Sequence, residues 1–200
     1  MNYLFFFQSF INWIEINYTL ALFLFFLFIL FYALFSLPGM FIFIIFSGYA
    51  FGIFWSYLIC LISISLGSLG FFIISKYILS KFFKKYYDKY VNKINFTIKD
   101  SKLEYLIVFR LIPGPPFMLQ NILLSVLDIS SIKFITSTSI GMSPIILFCI
   151  MIGHKLNSVS SLEDITSKNI FTLDLFLILF AVIFFVLIRI FVKKKYLSNS

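Results

Sequence analysis

The sequence contains no Asp, Glu, Lys or Arg between Glu15 and Lys76. Charged residues make up 12% of the chain and hydrophobic residues 62%. In a soluble globular protein these shares are about 25% and about 45 to 50%. The composition therefore excludes a soluble globule and predicts an all-α integral membrane protein, with residues 1–200 as a single membrane domain. At about 20 residues per crossing, the uncharged stretch can hold up to three passes.

Residues that catalyse reactions or bind metals are also scarce. The chain has one histidine and two cysteines, and Cys60 and Cys149 both lie in apolar runs without a Cys or His at metal-ligand spacing. The sequence shows no nucleophile paired with a base and no paired carboxylates. We therefore expect no enzyme, no metal site and no cofactor.

Lysine is abundant, and it accounts for most of the net charge of +8. Two lysine blocks lie beside apolar segments, in residues 76–104 and at residues 193–195. Lys and Arg beside membrane segments are enriched on the cytoplasmic side. We therefore expect residues 76–104 to form a basic cytoplasmic loop that lies as an amphipathic segment on the lipid surface. We expect no nucleic-acid binding.

Three apolar segments separate the two lysine blocks, at residues 105–127, 134–153 and 171–192. If both blocks are cytoplasmic, an even number of crossings lies between them, so one segment does not cross. The first segment contains three prolines, which break helices, and Arg110, which is costly at the bilayer centre. We interpret it as a re-entrant hairpin that enters from the cytoplasm, and residues 171–192 as a C-terminal transmembrane helix.

The first half of the chain repeats this pattern. Leu37-Pro38-Gly39 precedes Ile112-Pro113-Gly114 by 75 residues. We predict repeat units at residues 36–76 and 105–154, each a hairpin followed by one crossing helix. The second unit is then inverted, as in many secondary transporters. The predicted hairpin-forming residues are Pro38, Gly39, Pro113, Gly114, Pro115 and Pro116, and the predicted helix-packing residues are Gly48, Gly67, Gly70 and Gly141.

The complete topological prediction is about four transmembrane helices plus two opposed re-entrant hairpins as an inverted repeat. The first hairpin depends on the repeat alone, because residues 1–75 contain no Lys or Arg. The alternative is three crossings before Lys76, which places the N-terminus outside. The offset of the repeat also pairs Arg110 with Phe35, so that only the inner hairpin carries a charge.

Non-helical backbone at membrane depth requires protein or a water-filled cavity around it, so two opposed hairpins imply a shared polar pocket. Arg110 lies near the inner hairpin, and a guanidinium can bind a phosphate through two parallel hydrogen bonds. Gln120 and Asn121 follow the prolines and can supply neutral donors and acceptors. These three are the candidate substrate-binding residues. The alternatives are an arginine that snorkels to the headgroups and amides that only join helices.

Six stretches carry a resemblance to a known family: Pro38-Gly39, SGYAFG, SLGSLG, FFIISKY, FRLIPGPPF and IGMSP. Together they resemble the DedA or VTT-domain superfamily, which includes the SNARE-associated Golgi proteins, and the RLIPGPPF form is closest to its TVP-type branch. The resemblance covers residues 30–155. It implies two opposed hairpins and a role in moving phospholipids or undecaprenyl phosphate across the bilayer. By position, Arg110 matches the hairpin arginine of the family.

The sequence departs from the proton-dependent bacterial members of that family. Glu15 is the only acid in residues 1–75, Pro115-Pro116-Phe117 stands where they have a second arginine, and Ser125 stands where relatives commonly have Gly. Proton coupling usually needs an ionisable group within the membrane, whereas a passive lipid path does not. The departures therefore favour passive movement.

The sequence thus predicts a facilitator of phospholipid or polyprenyl-phosphate translocation. Its expected partners are anionic or phosphate-bearing lipids, and a homo-oligomer is compatible with the sequence. We expect a multi-pass protein of a cell membrane, a bacterial inner membrane, with both termini cytoplasmic. One alternative is an ion-coupled exporter of small solutes or cations. Another is a non-transporting membrane-organisation protein whose basic loop recruits lipid or a partner.

Overall fold

The computed structural model describes residues 3–82, 103–111, 117–126 and 129–157. Within these ranges every regular element is an α-helix, which confirms the prediction of an all-helical fold for this part of the chain. The helices are α1 (Tyr3–Ile16), α2 (Tyr18–Leu34), α3 (Met40–Phe82), α4 (Leu103–Leu111), α5 (Phe117–Val126) and α6 (Ser131–Asn157). Most of the basic loop, the second Pro-Gly segment at residues 112–116 and the C-terminal segment 171–192 lie outside the described residues.

Two helices are long and apolar enough to cross a membrane, over Met40–Ile78 of α3 and Ser131–Asn157 of α6. Helices α1 and α2 form a third candidate if they are counted as one span, although they bend by 108° where they meet. An α-helix suits such segments because it bonds its backbone polar groups internally, away from water. The number of crossings stays a prediction.

The turn between α2 and α3 contains Pro38 and Gly39. The Tyr32 hydroxyl donates a hydrogen bond to the Pro38 carbonyl, and Gly39 has a φ of 89°. Glycine adopts this left-handed conformation without a steric penalty. Ser36 also has a positive φ of 50°, the only non-glycine residue to do so in the described ranges. The turn reverses the chain and lays α3 back against α2.

A break at Gly52 divides α3 into a first limb, residues 40–51, and a second limb, residues 53–82. Gly52 has φ 73° and ψ 177°, a conformation that is essentially restricted to glycine. Side chains bond to carbonyls beside the break: Tyr18 Oη donates to the Phe51 carbonyl at 3.1 Å and Ser56 Oγ to the Ser47 carbonyl at 2.6 Å. These bonds compensate for helical hydrogen bonds that the kink removes.

The same order of elements occurs in both halves of the described chain. In the first half the order is α2, the first Pro-Gly turn and then the two limbs of α3. In the second half it is α4, the second Pro-Gly segment, α5 and α6. The second limb of α3 and α6 hold the same place in this order.

The two long helices pack against each other in antiparallel orientation. Gly48 lies against Ile150, Ser65 bonds to Ser139, and the rings of Phe72 and Phe134 stack. Residue numbers thus rise along α3 as they fall along α6. Ser65 and Ser139 are separated by the same 74 residues that separate Gly67 from Gly141. The contact between Ser65 and Ser139 thus joins two positions at the offset of the repeat predicted from the sequence.

This packing predicts that cysteines at positions 65 and 139 cross-link. The two Oγ atoms are 2.8 Å apart, which suits a disulfide whose Cβ atoms are about 3.5 to 4.5 Å apart. The test uses Ser65→Cys with Ser139→Cys in a background lacking Cys60 and Cys149, and a protease site inserted in residues 83–102. After oxidation or bifunctional thiol treatment, the two proteolytic fragments should stay together on a non-reducing gel.

The matched control moves one cysteine by a single residue, combining Ser65→Cys with Ile140→Cys. Ile140 follows Ser139 directly, but its side chain is 53% exposed. We expect its fragments to separate. Equal cross-linking of the two pairs would show that the register between α3 and α6 is wrong.

Candidate functional site

Arg110 occupies the last turn of α4 and is buried between three helices. Its side chain is 3% exposed, although the guanidinium carries a positive charge. Nη2 donates to Thr138 Oγ1 of α6 at 3.0 Å. The guanidinium carbon lies 5.1 Å from the ring centre of Phe134 and 5.7 Å from that of Phe117. Arg110 therefore points into the protein and does not snorkel to the headgroups.

Thr138 accepts this hydrogen bond because its own proton is used elsewhere. Its hydroxyl donates to the Phe134 carbonyl, four residues earlier on α6, at 2.8 Å. The threonine oxygen is thereby directed at the guanidinium as an acceptor. One neutral oxygen and two aromatic faces are the partners that the described residues give to Arg110.

Gly141 allows α4 to approach α6 closely enough for this contact. A Cβ atom at Gly141 would lie 2.4 Å from Arg110 Cβ and 3.1 Å from the Ile107 carbonyl oxygen. Side chains at this position would push the arginine away, because contacts below about 3 Å are repulsive.

Gly67 makes the equivalent contact in the first half and identifies the counterpart of Arg110. A Cβ atom there would lie 2.4 Å from the Leu30 carbonyl oxygen and 2.8 Å from Ala33 Cβ. Each glycine thus meets a carbonyl and the Cβ three residues later. By this contact Arg110 corresponds to Ala33, which lies two residues from Phe35, the residue that the sequence offset pairs with it.

The charge of Arg110 has no partner anion in the described part of the chain. Within that part, Nε and Nη1 are buried without a hydrogen-bond acceptor. The carboxylates in the described ranges are Glu15 and Glu104, and neither contacts Arg110. Burying an uncompensated charge is costly. Within the described ranges, no carboxylate offsets this cost.

Asn121 lies on α5 and joins the two halves of the protein. It is 0% exposed, and its Nδ2 donates to Ser36 Oγ in the first Pro-Gly turn at 2.8 Å. Its Oδ1 is buried without a donor among the described residues. The helix that follows the second Pro-Gly segment is thus bonded to the first Pro-Gly turn.

The three sequence-predicted binding residues lie on α4 and α5, and all three are buried. Phe117, the first residue of α5, contacts Arg110, and Gln120 and Asn121 follow it by three and four residues. Residues at these spacings share one face of a helix. Gln120 is 6% exposed and is buried beside Asn121.

Sequence reasoning missed Ser36, Thr138 and Gly153. Serine is common in turns and threonine occurs in apolar helices, so the sequence offered no signal for the first two. Gly153 lies against Ile45, and Gly48 lies reciprocally against Ile150. Of the predicted packing glycines, Gly70 has the loosest contact, with only the end of the Leu34 side chain nearby.

An apolar cleft of about 610 Å³ lies apart from Arg110, where α1 bends away from α2. Its walls come from α1, α2 and the first limb of α3, and they are aromatic or aliphatic throughout. Phe10, Trp13, Phe25 and Phe46 are among them. The chemistry of this cleft suits a hydrocarbon chain.

The described residues contain no group of three or more His, Cys, Asp or Glu side chains that could hold a metal ion. Cys60 and Cys149 are both buried and are not joined by a disulfide. Both belong to the apolar cluster between α3 and α6. They act as packed thiols there.

The sequence matches the model of a known protein family. The model of the VTT domain matches residues 37–155, more than half of the chain. The matched range includes the first Pro-Gly pair, Arg110 and Asn121. It also includes Gly67 and Gly141, the two glycines against which α2 and α4 pack. No solved structure matches the chain.

Proposed function

Because the chain belongs to the VTT-domain family, we propose that it is a multi-pass membrane protein that facilitates movement of a phosphate-bearing lipid across the bilayer. The lipid is a phospholipid or a polyprenyl phosphate. One observation carries the proposal: Arg110 is 3% exposed, and two of its nitrogen atoms lack an acceptor among the described residues. Phosphate oxygens are the acceptors that match a guanidinium best.

The proposed topology has about four transmembrane helices and two opposed re-entrant hairpins that form an inverted repeat. The antiparallel packing of α3 and α6 supports it, since equivalent helices of inverted units run in opposite directions. The bond from Asn121 to Ser36 supports it further, because it brings one Pro-Gly turn against the helix that follows the other. Both termini are then cytoplasmic, in a cell membrane such as a bacterial inner membrane.

In this arrangement the protein lowers the barrier for the lipid headgroup. The barrier is the cost of moving a charged phosphate through hydrocarbon. Arg110 replaces part of the water around the phosphate, while the acyl or prenyl chains stay in the surrounding lipid or in the apolar cleft. The hairpins shorten the apolar part of the path. No bond is made or broken, so the proposed role is not enzymatic.

We propose passive movement because the described residues offer no acid beside Arg110. Their carboxylates, Glu15 and Glu104, lie in the last turn of α1 and the first turn of α4. A proton-driven carrier usually needs an ionisable group within the membrane that changes its protonation during transport.

The proposal predicts lipid movement without an energy source. Purified protein is reconstituted into liposomes containing a trace of acyl-labelled fluorescent phospholipid, and a membrane-impermeant quencher is added outside. Empty liposomes should lose about half of the fluorescence, whereas protein-containing liposomes should lose nearly all of it. The same protein should produce no cation flux when a pH gradient is imposed.

Two results would contradict this prediction. Quenching no faster than in empty liposomes would exclude phospholipid movement, and the same assay with a labelled polyprenyl phosphate then tests the other lipid class. A cation flux that follows the pH gradient would favour the ion-coupled exporter.

A further inference from the structure

The orientation of the Asn121 amide follows from the bonds of Ser36. The single hydroxyl proton of Ser36 is donated to the Ala33 carbonyl at 3.3 Å. With this bond made, the Ser36 oxygen accepts from Asn121, which presents Nδ2 at 2.8 Å. The reversed amide would place two acceptors against each other. Oδ1 of Asn121 consequently faces away from Ser36, into the buried interior.

The site therefore has two kinds of buried polar atom without a partner in the described chain. Nε and Nη1 of Arg110 are donors, and Oδ1 of Asn121 is an acceptor; Oε1 of the neighbouring Gln120 is a further buried acceptor atom. A simple anion would satisfy only the donors. The acceptor would remain buried and unsatisfied, which costs free energy.

The spacing of the two groups fits a small headgroup. Phe117 contacts the guanidinium, and Asn121 lies one turn further along the same face of α5. One helical turn advances about 5.4 Å. If the phosphate lies at Arg110, a headgroup with a two- or three-carbon linker matches the rise of about one helical turn along this face.

We propose that the lipid headgroup bound here carries an N–H or O–H donor beside its phosphate, and that Asn121 Oδ1 selects it by accepting that donor. The inference rests on the proposed function, because it names the class of lipid that the same site takes. Ethanolamine and glycerol phospholipids have this chemistry. Choline phospholipids have the same phosphate, but their trimethylated nitrogen carries no N–H.

The aromatic rings of the site do not compensate a choline headgroup. A trimethylammonium group is recognised through the faces of several aromatic rings. Phe134 and Phe117 both pack against the guanidinium of Arg110, at 5.1 and 5.7 Å. The cation of the protein thus already uses the ring faces that a choline would need.

Binding of short-chain lipids in detergent tests the inference without requiring transport. Dihexanoyl phosphatidylethanolamine, phosphatidylglycerol and phosphatidylcholine are titrated separately, and dissociation constants are obtained from the rise in melting temperature. We expect the first two to bind roughly tenfold more tightly than the choline lipid, the effect of one satisfied hydrogen bond. The ethanolamine and glycerol lipids then distinguish an ammonium donor from a hydroxyl donor.

Two variants at position 121 assign the preference to this amide. Asn121→Leu keeps the shape of the side chain and Asn121→Ala shortens it, and both should bind all three lipids with the weaker affinity. Ser125→Ala is the matched control on the same helix, because the Ser125 hydroxyl is also buried but donates to the Ile122 carbonyl at 2.7 Å. This variant should keep the tenfold preference.

Equal binding of the ethanolamine, glycerol and choline lipids by the unmodified protein would overturn the inference, as would no binding of any of them. A preference that persists in both Asn121 variants would also overturn it. Failure of the liposome assay is a separate result, because it rejects lipid movement and not headgroup binding.

Discussion

Arg110→Met is expected to abolish lipid transfer and to leave the melting temperature of the protein unchanged or raised. Methionine has a similar length but cannot bind phosphate. The loss of two charge-assisted hydrogen bonds, at about 1.5 to 3 kcal/mol each, should weaken headgroup binding by about a hundredfold or more. Transfer measured by quenching in liposomes should then fall to the rate of empty liposomes.

Stability should not fall with activity because the guanidinium is buried without an anion. Replacing buried charges by apolar groups of similar volume is often neutral, or stabilising by about 1 to 4 kcal/mol. The variant loses the bond to Thr138, whose hydroxyl still donates to the Phe134 carbonyl, and it exchanges the contacts of the guanidinium with Phe134 and Phe117 for apolar ones. Melting in detergent, measured beside transfer, therefore separates a binding role from a structural one.

Lys133→Met is the matched control for Arg110→Met. It also removes one positive charge, but Lys133 is exposed near the start of α6. Its transfer rate should match that of the unmodified protein. Arg110→Lys should be intermediate, since lysine keeps the charge and loses the two-pronged geometry. A large drop in melting temperature for Arg110→Met would show that the arginine mainly stabilises the fold.

Gly153→Ala is expected to have the largest effect on stability, a loss of about 3 kcal/mol or more, and to prevent stable folding in detergent. Its Cβ would lie 1.8 Å from the Ile45 carbonyl oxygen and 2.9 Å from the Tyr49 amide nitrogen. These atoms belong to the backbone, so the clash can be relieved only by separating α6 from the first limb of α3. Small residues at such crossings are what let membrane helices pack closely.

Gly48 should behave in the same way, because the two glycines form one reciprocal contact. A Cβ at Gly48 would lie 2.1 Å from the Ile150 carbonyl oxygen, and Ile150 and Ile45 each precede the opposite glycine by three residues. Once either alanine has separated the helices, the second adds little. The double variant should therefore be less destabilised than the sum of the two single variants.

Gly70→Ala provides the control for both glycine variants. Its Cβ would meet only Leu34 Cδ1, at 2.6 Å, and the end of a leucine side chain can rotate away. We expect a change below about 1 kcal/mol in the unfolding free energy. Thermal unfolding and size-exclusion profiles in detergent compare the three positions. If Gly153→Ala is as stable as Gly70→Ala, the first limb of α3 does not approach α6 as closely as described.

Much of the fold could be predicted from the sequence because the signals are local. The missing charges indicate apolar helices, and Pro38-Gly39 lies in a turn because proline and glycine restrict the backbone within a few residues. Arg110 stood out for the same reason, as a lone charge in an apolar segment. The two Pro-Gly pairs, 75 residues apart, are also visible in the sequence, and the inverted topology that they suggest stays a prediction.

The partners of these residues were decided by the tertiary structure. Sequence offset paired Arg110 with Phe35, but packing pairs it with Ala33, because counterparts are defined by the helix faces that meet at Gly67 and Gly141. The bond from Asn121 to Ser36 and the acceptor at Thr138 join residues that are far apart in the chain. The close contact at Gly153 is equally invisible in sequence, where it looks like Gly70. Composition and backbone restrictions act within a single helix or turn. Burial, hydrogen bonding and the polar atoms that lack a partner among the described residues depend on which helix faces the folded chain brings together.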